Sequence, residues 1–223
     1  MAELLIPKAT LNLSTNERLD LIQLLVALMR LWITPSVTAP LLSDMPFAAA
    51  KDAPNNEAFL WPYESRGFER PFLGYSGNQV NAGSLIWVRD HWQAAFALTR
   101  ASTELRTAIF ALDQTQFLKD RALTLISFWA ALEGLFLTNT QELRFKLAAF
   151  IASYLEDPGE ARLARYKKIL SLYDHRSKVA HGKPKTFVLL REVLIRVIES
   201  DHIPTAAELE ARLLGGPLPA ERE

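Results

Sequence analysis

Arg176 and His181 are the residues of this chain best suited to chemistry. They stand five positions apart in Leu172-Tyr173-Asp174-His175-Arg176-Ser177-Lys178-Val179-Ala180-His181-Gly182, a stretch that holds two of the four histidines. A planar guanidinium fork matches phosphate oxygens. An imidazole that titrates near neutrality can take up and return a proton. Together they suit cleavage of a phosphodiester, above all one whose neighbouring 2′-hydroxyl can attack once deprotonated. On an ideal helix, positions i and i+5 lie about 140° apart around the axis and about 7.5 Å apart along it. The two side chains therefore do not share a face. Either the helix ends near His181, as Gly182 and Pro184 permit, or a site combines groups from two copies of the chain. The plain alternative is a basic run that complements the helix dipole and caps its last turn.

The wider context narrows this choice. The segment resembles the R-x4-6-H motif of the HEPN superfamily (higher eukaryotes and prokaryotes nucleotide-binding). More narrowly, Tyr173, Arg176-Ser177-Lys178 and His181-Gly182 resemble the Y-x-x-R-S-x-x-x-H-G ending of the Apea-like HEPN branch. Upstream, Ala131-Leu132-Glu133-Gly134-Leu135 and Leu143-Arg144-Phe145-Lys146-Leu147-Ala148 resemble that branch's earlier helices. The likeness spans roughly residues 115–200. It implies an all-helical bundle, a homodimer that pairs two motifs, and often metal-independent endoribonuclease activity. Many members of the superfamily act in toxin–antitoxin or antiphage systems, which implies an antitoxin or other regulatory protein as a partner. Other members bind without catalysis. Ser177 stands where active nucleases of the superfamily often carry Asn, Asp or His.

Composition sets the outer bounds. The 223 residues fit one domain with an extension or two small domains. There is no cysteine, which removes disulfides, thiol nucleophiles and cysteine metal sites. The first ten residues carry Glu3 and Lys8 around a short apolar patch, so no signal peptide is expected. The most apolar run, Ala122 to Leu137, spans 16 residues interrupted by Glu133. That is short for a membrane span. A cytoplasmic protein without a membrane partner is the resulting expectation. No zinc-binding or phosphate-loop pattern is present, so neither a metal nor a cofactor is expected.

Net charge is zero but unevenly spread. Residues 160–196 hold ten Lys and Arg against three acids, while the rest holds 15 against 22. The basic region coincides with the motif, and a field concentrated there can draw in a polyanion. The bland reading is a solvated helix face.

The elements that position the motif follow from periodicity and caps. Ser14-Thr15-Asn16-Glu17 is a capping box. It predicts a helix to about Ile33 with Leu21, Leu24, Leu25, Leu28 and Trp32 at helical spacing, ended by Thr34-Pro35. Residues 34–83 differ in kind, with prolines at 35, 40, 46, 54, 62 and 71 and glycines at 67, 74, 77 and 83. Such length without periodicity marks an irregular insertion. Phe59, Trp61, Tyr63, Phe68, Phe72 and Tyr75 interleave there with Arg66 and Arg70. They either pin the segment to a helical core or stack on unpaired bases. A small hairpin inside 59–90 is compatible with the pattern.

Ser84 reads as the cap of a long helix to about Leu112, with His91 partly buried and satisfied among Trp87, Trp92 and alanines. The next predicted helix, Thr115 to about Leu137, is apolar nearly all round and is expected to be central and covered on every side. Glu133 within it must then be paired, with Arg144 or another arginine, or must orient Arg176 from behind. Asn139 and Glu142 open a helix with Leu143, Leu147, Phe150, Ile151 and Tyr154 as its stripe. Asp157-Pro158-Gly159-Glu160 opens the motif helix, about 158–181, with Leu163, Tyr166, Ile169, Leu170 and Tyr173 facing inward. A helix from Thr186 to Ser200 shapes the far side of the motif. A capping box at Thr205 starts a short terminal helix that stops at Gly215-Gly216-Pro217. His202 falls in a turn and receives no role.

The expected architecture is therefore all-α: a HEPN-like antiparallel bundle over 84–215, an N-terminal helix and irregular segment over 1–83 packed on it, and a frayed tail over 216–223. On the nuclease reading, Arg176 and His181 are catalytic and Ser177, Lys178 and Lys183 hold the RNA backbone. Glu133 and Tyr173 support them. The alternative is a non-catalytic module that binds a nucleotide, an RNA or a partner protein through the same groove. Zero net charge and Ser177 favour that second reading.

Overall fold

Ser14 starts the first helix. Its side chain accepts from the Glu17 N–H, and the Glu17 carboxylate accepts from the Ser14 N–H at 2.9 Å. In the computed structural model, described over residues 3–6, 13–52, 58–64, 80–114, 117–118, 120–136, 143–174 and 185–215, this helix is α1, Thr15–Trp32. A short strand β1 (Leu41–Ser43), a one-and-a-half-turn helix α2 (Phe47–Asp52) and a second strand β2 (Leu60–Pro62) follow. The remaining elements are helical: α3 (Ala82–Ala101), α4 (Thr103–Gln114), α5 (Arg121–Phe136), α6 (Leu143–Leu155), α7 (Glu160–Asp174), α8 (Lys185–Glu199) and α9 (Ala206–Leu213). Among the described residues the fold is all-α apart from one pair of short strands. Its strands are antiparallel, with Leu41 opposite Pro62 and Ser43 opposite Leu60, so β2 pairs backward with residues 41–43 and not within 59–90.

Several helix ends differ from the sequence pattern, each for a local reason. Asn81, not Ser84, caps α3; its side chain accepts from the Ser84 N–H at 2.9 Å, and the Ser84 hydroxyl accepts in return from the Asn81 N–H at 3.0 Å. The predicted helix to Leu112 is two helices. Ser102 is extended (φ −129°, ψ 120°), and its hydroxyl accepts from the Leu105 N–H and caps α4. Asp120 accepts from the Ala122 and Leu123 N–H groups, so α5 starts at Arg121 rather than Thr115. Gly159 sits at φ 142°, a region closed to most L side chains, and the chain turns there so that α7 begins at Glu160 rather than Pro158. Asn139 and Glu142 lie outside the described residues, as do residues 175–184, the predicted continuation of the motif helix, and the tail 216–223.

One hydrophobic core joins α1 to α3–α9, with Leu28, Leu105, Leu132, Leu147, Leu190 and Leu194 shielded from solvent. Each such leucine contributes on the order of 2 kcal/mol over an exposed one. The central helix is α6. Every residue from Leu147 to Tyr154 is buried, and α5, α7, α8 and α9 all pack on it. Ala148, Ala149, Ala152 and Ser153 let those neighbours approach from all sides.

Sequence reading had assigned that place to α5, and the structure corrects it. Leu123 and Ile126 are each 52% exposed, and Ala130 and Gly134 continue the same open face. The opposite face, with Phe128, Trp129, Leu132 and Phe136, is the one buried. Among the described residues no helix is long and apolar enough to cross a membrane.

Candidate functional site

Tyr173 is the penultimate residue of α7 and stands three positions before Arg176. Its ring lies edge-on to Trp129, centroids 4.9 Å apart at 75°, and its hydroxyl donates to Glu133 Oε1 at 3.1 Å. Trp129 and Glu133 are one turn apart on α5 and so present neighbouring positions to α7. On the next residue, Asp174 accepts from Arg144 of α6 at 2.5 Å. The last turn of α7 is thereby held by α5 and by α6. The helix α8 beyond the motif is anchored to the same support: buried Phe187 packs against Phe128, ring centroids 6.0 Å apart. Ten residues, 175–184, connect the two anchors.

Arg176, Ser177, Lys178, His181 and Lys183 lie outside the described residues, so the structure carries no geometry for them. Of the residues assigned to the site from sequence, Glu133 and Tyr173 are described, and they meet. Arg144 does not pair with Glu133; Asp174 is its partner. Arg144 reaches the end of α7, whereas Glu133 accepts from the Tyr173 hydroxyl. Within α7, Ile169 is buried and Tyr166, Leu170 and Tyr173 are half-buried, but Leu163, expected to face inward, is exposed.

The basic region divides into two groups. Arg162 donates to the carbonyls of Glu156 and Arg212 at 3.0 and 2.8 Å. Arg165 bridges Glu156 and Glu192, each at 2.7 Å. Arg191 donates to the Leu31 and Trp32 carbonyls at 2.5 and 3.1 Å and lies over the Trp32 ring. These three arginines join helices and satisfy helix ends. Lys167 and Lys168 of α7 and Lys185 and Arg196 of α8 are exposed.

His91 stacks on Trp87 at 4.7 Å, and its Nδ1 donates to the Trp87 carbonyl at 2.9 Å. Trp87 in turn stacks on Trp32 at 4.6 Å and donates from its indole N–H to Glu199 at 3.0 Å. His202, in its turn, is 2.9 Å from Glu208. Among the described residues no group of three or more His, Asp or Glu is placed to hold a metal ion.

A second polar cluster escaped the sequence reading. Arg30 of α1 is 2% exposed and contacts two carboxylates: Asp113 Oδ1 at 2.6 Å and both oxygens of Glu64 at 2.6 Å. It also donates to the Val37 carbonyl at 2.9 Å and lies over the Phe117 ring. Gln114 donates to the other Asp113 oxygen, and Glu64 accepts from the Ala39 N–H. Burial holds the Asp113 carboxyl above the usual carboxylate range, with Arg30 opposing the rise. Beside it, burial raises the Tyr63 hydroxyl to about 12, with Asp113 and Glu64 adding to the rise and Arg30 opposing it. The cluster fastens residues 37–64 to the helical core. Its one sequence signal is an arginine inside the apolar run Leu28-Met29-Arg30-Leu31-Trp32. Of the aromatics in that segment, Phe59 and Trp61 stack on each other and are exposed, while Tyr63 is half-buried. Arg66, Phe68, Arg70, Phe72 and Tyr75 lie outside the described residues.

No protein-family description, no curated protein and no solved structure matches this chain.

Proposed function

We propose that this chain is a metal-independent endoribonuclease of the HEPN type that works as a homodimer, in a defence or toxin–antitoxin setting. The observation that carries the reading is the double anchoring of the last turn of α7, through Tyr173 on Trp129 and Glu133 and through Asp174 on Arg144, immediately ahead of Arg176. A motif that must place a guanidinium and an imidazole on one phosphate needs a rigid point of departure. In this scheme His181 takes the proton from a 2′-hydroxyl, and the resulting oxyanion attacks the adjacent phosphorus. Arg176 stabilises the charge that builds on the phosphoryl oxygens. The P–O5′ bond breaks, and the leaving oxygen collects a proton from an imidazolium. Ser177, Lys178 and Lys183 position the backbone. The products are a 2′,3′-cyclic phosphate and a 5′-hydroxyl.

The test is end-labelled RNA incubated with purified protein in EDTA. Fragments ending in 2′,3′-cyclic phosphate are expected, with loss of cutting in His181→Ala while light scattering still reports a dimer. Cutting that persists in His181→Ala overturns the assignment. The second reading, a binding module without catalysis, draws support from Arg162, Arg165 and Arg191, which are spent on structure and not on substrate. RNA that binds but yields no fragments over hours decides for it.

A further inference from the structure

The solvent side of α7 is a charged surface close to the motif in sequence. Between Ala164 and Asp174 it presents Lys167, Lys168 and Ser171, all exposed. Helix geometry puts Ala164, Lys167, Lys168 and Ser171 within about a third of a turn of one another around the axis. Neither lysine has an ion-pair partner among the described residues, in contrast to Arg165 on the inner side of the same helix. Of the acids bordering this face, Asp174 pairs with Arg144, whose own side chain is 53% exposed, and exposed Glu160 lies one turn before Ala164, a single charge against two lysines. The face is therefore net positive, and it runs toward the residues that precede Arg176. Lys168 and Lys167 stand about 9 and about 10.5 Å along the axis before Asp174. An ammonium on a flexible stem is a point charge without directional demands, suited to backbone phosphates and not to base edges.

We propose that Lys167 and Lys168 form an outer subsite for the sugar–phosphate backbone of single-stranded RNA, holding phosphates beyond the one that is cut. This rests on the RNA reading above and adds to it a sequence-independent contact outside the motif. The probe is a labelled single-stranded 2′-O-methyl oligonucleotide, which lacks the attacking hydroxyl and so stays intact during the measurement. Affinity is measured across a salt series for the full-length wild type, Lys167→Ala/Lys168→Ala and Lys167→Arg/Lys168→Arg. Each phosphate contact to a single strand contributes about 0.7 to the slope of log K against log salt. The double alanine variant is expected to lose about 1.4 from that slope, and the double arginine variant to keep it. Because both side chains are exposed, thermal melting should be unchanged in both variants. A wild type that binds with a slope the alanine variant retains overturns the subsite and leaves the RNA reading standing. A wild type that does not bind overturns both.

Discussion

Replacing Arg30 with methionine tests whether the irregular segment is held by buried charge. Methionine approximates the length and apolar volume of the arginine stem but leaves two carboxylates without their cation. Asp113, with a side chain only 2% exposed, has nowhere to go; Glu64, at 12%, lies nearer the surface and can turn outward. Removing one partner of a buried pair costs about 3–5 kcal/mol, because the remaining charge stays desolvated. For a domain whose whole stability is on the order of 5–15 kcal/mol, that is a large fraction. Urea denaturation followed by circular dichroism measures it, and hydrogen exchange at residues 37–64 shows whether the strap loosens first.

Two further measurements make the reasoning strict. In Arg30→Met the Asp113 carboxyl keeps burial and the nearby Glu64 charge, which raise it, against the Gln114 hydrogen bond, which lowers it. A carboxyl whose folded-state pKa lies above its unfolded value destabilises the fold once both states are ionised. The deficit should therefore be full at neutral pH and shrink as the pH falls through the raised value. Adding Asp113→Asn should recover a substantial part of the loss, since a polar amide replaces a stranded charge. If Arg30→Met costs less than about 1 kcal/mol, with no pH dependence and no recovery in the double variant, the charge-latch argument is refuted.

Two other consequences follow from the same structure. Tyr173→Phe keeps the ring against Trp129 and deletes the hydroxyl that Glu133 accepts; we expect about 1–2 kcal/mol less stability in urea and a fall in RNA cutting out of proportion to that loss, whereas unchanged cutting removes the anchoring role. Tyr63, raised to about 12 chiefly by burial, favours the protonated folded state, so its contribution is full below pH 10 and is lost as the pH rises toward 12; a stability profile over that window should drop in the wild type and flatten in Tyr63→Phe.

The elements legible in the sequence are those whose cause is local. A capping box closes within one turn, so Ser14 with Glu17 and Thr205 with Glu208 mark α1 and α9 without reference to anything distant. The inward stripe of α8 reads equally well, because Phe187, Leu190, Leu194 and Val197 repeat at the helical period and all are buried. Asn81 shows the limit of such reading. Asn and Ser are both good caps, and their reciprocal hydrogen bonds, with Ser84 in the third helical position, decide which of them stands at the end. For the candidate site, the sequence marks residues 176–181 by type and spacing and suggests Glu133 and Tyr173 as supports, while their direct contact is a fact of packing.

The order of residues by itself established an all-α chain with an irregular, proline-rich segment and a basic stretch around one arginine–histidine pair, because helix periodicity, caps and charge are written within a few residues of one another. Tertiary structure alone decided that α6 and not the more apolar α5 is enclosed, since enclosure depends on which neighbours dock on a helix. It also decided that Arg30 meets Asp113 across 83 residues, and that Arg162, Arg165 and Arg191 of the basic stretch face carboxylates and carbonyls while Lys167 and Lys168 face water. A side chain's partner depends on where distant segments come to rest, and no spacing along the chain encodes that.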